Sequence, residues 1–180
     1  MIYHHNRFTF KTTATAQQRE EALACLRNQG ESIDAVARYV VGRDIGGEFG
    51  YGAVFLLEDL DGYWEYLMAP SHAHTDRIGL PLLESFVSYD TTDSDDPEIA
   101  RKIADLHARR YAGDPALTKL VADLPSYTGS SAPTSTNPGS AQPAGRPKPV
   151  HGADGHSGQR QLRPAVRKLP SPSHEEGPYS

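Results

Sequence analysis

The sequence predicts an α+β fold, a four-stranded antiparallel sheet with its helices on one face, and three observations lead there. Two short runs, "YHHNRFTF" at 3–10 and "YGAVFLLE" at 51–58, alternate their side chains with a period of two. Two others, 15–30 and 60–68, repeat their apolar residues at helical spacing. Two further strand-like runs, 32–44 and 85–90, complete the order β, α, β, β, α, β, which is the ferredoxin-like arrangement.

Each element has a local reason. In the first strand His4, Asn6, Phe8 and Phe10 share one face, and His5, Arg7 and Thr9 the other. Thr15 and Gln18 form a capping box for the first helix, Ala22, Leu23, Cys25 and Leu26 give its apolar side, and Gly30 is expected to stop it. The run "SIDAVARYVVGRD" reads as the second strand, ending near Gly42, and "IGGEFG" as the turn of a hairpin into the third. Asp59 or Asp61 caps a second helix whose stripe is Leu60, Tyr63, Trp64, Leu67 and Met68, and Pro70 is expected to end it. A short helix over "TDRIGLPLLES" should point Ile78, Leu82 and Leu83 inward before "SFVSYD" forms the fourth strand. Two helices follow, one from Asp96 and Pro97 with Ile99, Ile103 and Leu106 inward, and one from Asp114 and Pro115 with Leu117, Leu120, Val121 and Leu124 inward.

The expected organisation is therefore a barrel-type domain over 1–95, a helical extension over 96–127, and a tail over 128–180. The tail is rich in Pro, Gly and Ser and has too few apolar residues to offset its ordering entropy, so it is expected to be disordered. Such a sheet has a second face to cover, and pairing two copies across a two-fold axis into an eight-stranded barrel covers it, so a homodimer is expected.

Composition limits the function. Residues 1–127 carry 12 Lys and Arg against 20 Asp and Glu, an acidic balance that argues against nucleic acid as a partner. No apolar run of about 20 residues suggests a membrane span, and the start lacks the pattern of a secretion signal, so a soluble, cytoplasmic protein is expected. The single cysteine, Cys25, excludes an internal disulfide and a CxxC motif. No HExxH or comparable spacing supports a metal site, and "GEFGYG" does not continue into a phosphate-binding loop, so neither metal nor organic cofactor is expected.

The segment "EYLMAPSHAHTDRIGLPLLESFVSYD", together with "YHHNRFTF" and "VVGRD", resembles the stress-responsive dimeric α+β barrel (Dabb) family over residues 1 to about 92. The resemblance implies a cleft between sheet and helices that holds a small apolar or aromatic ligand. In the family's plant cyclase that makes olivetolic acid, a tyrosine and a histidine around the same proline turn promote an aldol-type ring closure. Tyr66 and His72 match that pair. His4 matches a pocket histidine, Tyr51 stands where the cyclase has another, and Leu26 where it has a pocket tyrosine. The cleft-facing set implied on the sheet is His4, Asn6, Phe8, Tyr51, Ala53 and Phe55.

His72 has the intrinsic pKa, about 6.5, to take and return a proton near neutrality, and a phenol beside it can steady an enolate oxygen. His74, two residues on, is about 200° away around a helix and is expected to face solvent. Three functions stay open: a cofactor-independent cyclase acting on a polyketide-like or enolisable aromatic molecule, a cofactor-free monooxygenase, and a ligand-binding stress-response dimer without chemistry.

Overall fold

The structure, a computed structural model, describes residues 1–133, so all of the expected tail but its first residues lies outside the described residues. The chain runs β1 (Ile2–Phe10), α1 (Ala16–Ser32), β2 (Val36–Arg43), β3 (Tyr51–Leu57), α2 (Leu60–Met68), α3 (Pro70–Gly79), a 3₁₀ turn (Leu80–Leu82), β4 (Leu83–Thr92), α4 (Ile99–Gly113), α5 (Pro115–Ala122) and β5 (Tyr127–Thr128). The βαββαβ unit is present, with its last helix split by Pro70. Its sheet order is β2-β3-β1-β4-β5. β1 is central and antiparallel to both β3 and β4, with His4 opposite Phe55 on one side and Asp90 on the other.

Alternation along β1 sorts its side chains as the period of two requires. Ile2, His4, Asn6, Phe8 and Phe10 are buried, while Tyr3, His5, Arg7 and Thr9 are at least partly exposed on the opposite face. The buried face carries two apolar clusters. One gathers Ile2, Phe55, Leu57, Tyr63, Tyr66 and Leu67, and the other Phe8, Phe10, Leu23, Leu83, Leu117 and Val121. His4 and Asn6 lie on β1 between them, with Ser88 of β4 opposite Asn6. Polar groups in that position must find partners, because an unpaired buried donor or acceptor costs about 1–3 kcal/mol.

Several local expectations change. α1 passes through Gly30 to Ser32. The glycine serves a close approach, since a Cβ there would sit 2.1 Å from the Tyr39 ring. Pro70 does not merely end α2; it opens α3 as the first helical residue, where its missing N–H is no loss. α3 accordingly starts earlier than expected, and Leu82 and Leu83 leave the helix for the 3₁₀ turn and β4. Met68 is exposed, and the buried place on that helix goes to Tyr66. Asp59 provides the α2 cap, accepting from the Gly62 N–H at 2.9 Å. Asp114 caps α5 as expected, whereas α4 begins at Ile99, after Asp96 has accepted from the Glu98 N–H at 2.9 Å.

Residues 128–133, the start of the expected tail, are held against the sheet, and the chain just before them leads in. Ser126 accepts from the Phe86 N–H at 2.9 Å, and β5 pairs in parallel with β4. Gly129, at φ +105°, lets the chain lie on β4 where any Cβ would meet the Ser88 carbonyl at 2.1 Å. A two-residue strand has too little alternation to show in the sequence. No helix among the described residues is long and apolar enough to cross a membrane.

Candidate active site

The turn between α2 and α3 builds the first part of the site. Tyr66, on the last turn of α2, is fully buried, and its hydroxyl donates to Gln29 Oε1 of α1 at 3.0 Å. The bend at Ala69 and Pro70 turns α3 back so that the His72 ring lies 4.4 Å from the Tyr66 ring, centroid to centroid. His72 Nδ1 donates to the Tyr66 carbonyl at 3.0 Å. A carbonyl can only accept, so the proton of the neutral ring is held on Nδ1 and Nε2 keeps its lone pair.

Electrostatics reinforce this assignment. Burial, with the Arg110 cation nearby, pushes the His72 pKa well below its ordinary value, so the ring is neutral at pH 7. Burial also holds the Tyr66 phenol well above its usual range, so it keeps its proton. Asp76, one turn beyond His72, places Oδ1 3.8 Å from His72 Nε2, too far for a hydrogen bond but near enough to favour an imidazolium. Its carboxyl is raised by burial, against the pull of Arg110 of α4, with which it forms a buried ion pair.

A second polar group lies beside the first. The Tyr63 hydroxyl is 2.7 Å from His4 Nδ1, 2.8 Å from His107 Nε2 and 3.0 Å from Asp90 Oδ1, and His4 Nδ1 is 2.9 Å from the same Asp90 oxygen. Burial opposes the ionised form of Asp90, but the hydrogen bonds from His4 and Tyr63 and the nearby imidazoles outweigh it, and its pKa falls. Burial, then the neighbouring His4, lowers His107 to about 3.

Two cavities adjoin these groups. The larger, about 60 Å³, has apolar walls that include Phe8, Phe10, Leu26, Leu80 and Phe86, and a polar end made by Asn6, Gln29, Tyr66 and His72. The smaller, about 40 Å³, is lined by His4, Ser88, His107, Arg110 and Tyr127 among others. Asn6, His72 and Asp76 line both. Of the residues expected from sequence, Tyr66, His72, Asn6 and Phe8 meet at the larger cavity and His4 at the smaller. Tyr51, Ala53 and Phe55 line neither: Tyr51 stacks on Phe8 at 6.0 Å, and Phe55 packs behind Tyr66 at 5.2 Å. His74 is exposed.

The family model of the stress responsive A/B barrel domain matches residues 2–93, the span that carries the sheet through β4 and the Tyr66–His72 turn. The chain belongs to this family. Among solved structures it is similar to a dimeric ferredoxin-like protein of unknown function from Thermobifida fusca, at 26% identity over 51% of this chain and 89% of that one, with a TM-score of 0.47. It is also similar to a hydroxynitrile lyase from Passiflora edulis, at 13% identity over 52% and 94%, TM-score 0.48. A third likeness is to SnoaB, a cofactor-independent oxygenase from Streptomyces nogalater, at 19% identity over 54% and 97%, TM-score 0.42. No curated protein matches the chain.

Within this A/B barrel protein, the matched segment supplies Tyr66, His72, Asp76, His4 and Asp90, and the extension beyond it supplies His107 and Arg110. Sequence reading missed Gln29, Asp76, Asp90, His107 and Arg110. Gln29 sits beside the apolar positions of α1 and looks like surface until Tyr66 reaches it. His107 and Arg110 are one turn apart on α4, and with Ile103 they make a buried face at helical spacing. That spacing was a usable signal, since a helix face joining an isoleucine to a histidine and an arginine invites the question of what the polar pair meets.

Proposed function

We propose that this A/B barrel protein is a cofactor-independent enzyme that moves a proton on a small enolisable molecule, with His72 as base and Tyr66 as oxyanion donor. The observation that carries the reading is the His72 tautomer: Nδ1–H is spent on the Tyr66 carbonyl, so Nε2 keeps its lone pair at the wall of the cavities, with Asp76 Oδ1 3.8 Å from it. In the proposed step Nε2 takes a proton from a carbon between two carbonyls. The C–H electron pair moves into the enolate, and the Tyr66 O–H turns from Gln29 to its oxygen. The enolate carbon then attacks a second carbonyl of the same molecule, and the imidazolium returns the proton to the new alkoxide. This is the aldol-type ring closure expected from the family resemblance.

Volume narrows the substrate. A dry apolar cavity of about 150 Å³ holds benzene, and the larger cavity here is about 60 Å³. A polyketide-like chain therefore needs more room than either cavity gives as it stands. Non-catalytic binding is the second reading, supported by the same burial that makes His72 a weak base. A cofactor-free monooxygenase would use the same enolate and consume oxygen. Pairing of two copies belongs to the proposal as well. The outer sheet face bears Tyr3, Val40 at 68% exposure, and His5, whose Nε2 has no hydrogen-bond partner among the described residues.

The test begins with native mass spectrometry of the purified protein, followed by denaturation to identify any molecule released. A dimer is expected. Turnover of the released compound should fall at least about 100-fold in His72→Ala and clearly in Tyr66→Phe. Full turnover in both variants would remove these residues from the mechanism. Tight retention with no product and no oxygen uptake would establish the binding reading.

A further inference from the structure

We propose that His4, Tyr63, Asp90 and His107 form a binding site for a first-row transition-metal ion, which ties the α4 extension to the barrel domain. The inference goes beyond the proton chemistry proposed for Tyr66 and His72 and does not depend on it. The four residues come from four elements, β1, α2, β4 and α4, and no short motif links them. The ligating atoms of His4, Asp90 and His107 all lie within 4.8 Å of one another.

Spacing is the first argument. With metal bonds of about 2.05 Å, neighbouring ligands of a six-coordinate ion stand about 2.9 Å apart. The Tyr63 oxygen is 2.7, 2.8 and 3.0 Å from the other three ligating atoms, and His4 Nδ1 is 2.9 Å from Asp90 Oδ1.

Proton count is the second. A ring nitrogen carries either one proton or one lone pair, and a carboxylate only accepts. His4 Nδ1 meets both the Tyr63 hydroxyl and the Asp90 carboxylate at hydrogen-bond distance, and the single Tyr63 proton faces three neighbours. Hydrogen bonds alone leave at least one of these short contacts without a well-aimed proton. A cation that accepts the lone pairs satisfies all four groups together.

Donor chemistry selects the ion. Two imidazole nitrogens with a carboxylate and a phenol oxygen suit manganese, iron, cobalt or zinc; magnesium and calcium favour sets made of oxygen alone. Outer partners are also in place. Ser88 Oγ lies 3.4 Å from His4 Nε2, where it can take that ring's remaining proton, and the Ser130 hydroxyl donates to Asp90 Oδ2 at 3.2 Å. His4 and His107 also line the smaller cavity.

The experiment uses the untagged full chain, freed of metal with a chelator and titrated with Co²⁺ by visible absorption and with Zn²⁺ by calorimetry. One ion per chain is expected, with a Kd of about 10 μM or tighter. Asp90→Asn and His107→Ala, checked for folding by circular dichroism, should each weaken binding about tenfold or more, and the exposed His74→Ala should not. Tyr63→Phe, which keeps the ring and its packing, provides a third variant should either of the first two unfold. Binding that is undiminished in the folded variants would point to histidines elsewhere, such as His151 and His156, and would overturn the site. So would a wild-type chain that takes up no ion at 100 μM Co²⁺ or Zn²⁺ and is held by hydrogen bonds alone.

Discussion

Replacing Arg110 with methionine tests how far α4 is wedded to the site. Arg110 is 9% exposed and the Asp76 side chain 15%, so the change leaves a carboxylate in a dry place without its partner. Breaking a buried pair from one side costs about 3–5 kcal/mol. Asp76 has an escape, however, because it can take a proton. For a carboxyl of ordinary pKa about 3.9, protonation at pH 7 costs about 4 kcal/mol, at 1.36 kcal/mol per pH unit, and this caps the penalty. The expected loss at pH 7 is therefore about 3–4 kcal/mol, between the low end of that range and the protonation cap, and burial, which already raises Asp76 in the wild type despite Arg110, makes protonation the easier outcome.

The sign of the pH dependence follows. A carboxyl whose folded pKa is raised contributes stability that is fully present below the unfolded value and is lost as the pH rises from there through the folded value. The variant should therefore recover relative to wild type on acidification, with the gap shrinking to about 1.5 kcal/mol or less at pH 5. Urea unfolding at both pH values measures it, and Asp76→Asn in the same chain should restore much of the loss. A gap that is the same at pH 5 and pH 7, or below about 1 kcal/mol at pH 7, would refute the buried pair as drawn.

Two further outcomes are expected. Gly129→Ala should destabilise the protein by at least about 1–2 kcal/mol, the cost of a left-handed backbone for alanine, because its φ is +105° and its Cβ would meet the Ser88 carbonyl. Hydrogen exchange should show it first at the Phe86 N–H, which bonds to Ser126. Because His72 is held neutral, the unfolded chain binds a proton below about pH 6.5 that the folded chain refuses, so stability should fall on acidification. His72→Gln should flatten that slope by up to about 1.4 kcal/mol per pH unit, and an unchanged slope would show that the ring titrates freely.

By itself the sequence determined what is local or periodic. The alternation of β1, the Thr15 and Gln18 box, the Asp59 and Asp114 caps and the order of elements through β4 each rest on residues within a turn or two of one another. Tyr66 and His72 were singled out by the family resemblance, and the six residues and one proline bend between them are what bring them together. Only the tertiary structure decided the rest. That Gly30 is a seat for Tyr39, that Gln29 holds the Tyr66 hydroxyl, and that His107 and Arg110 meet His4, Asp90 and Asp76 are all contacts between distant segments. Polar residues on a helix read as a solvated face until something is packed against them. Here the sheet and α3 supply that something, and burial turns an arginine and a histidine of α4 from surface into site.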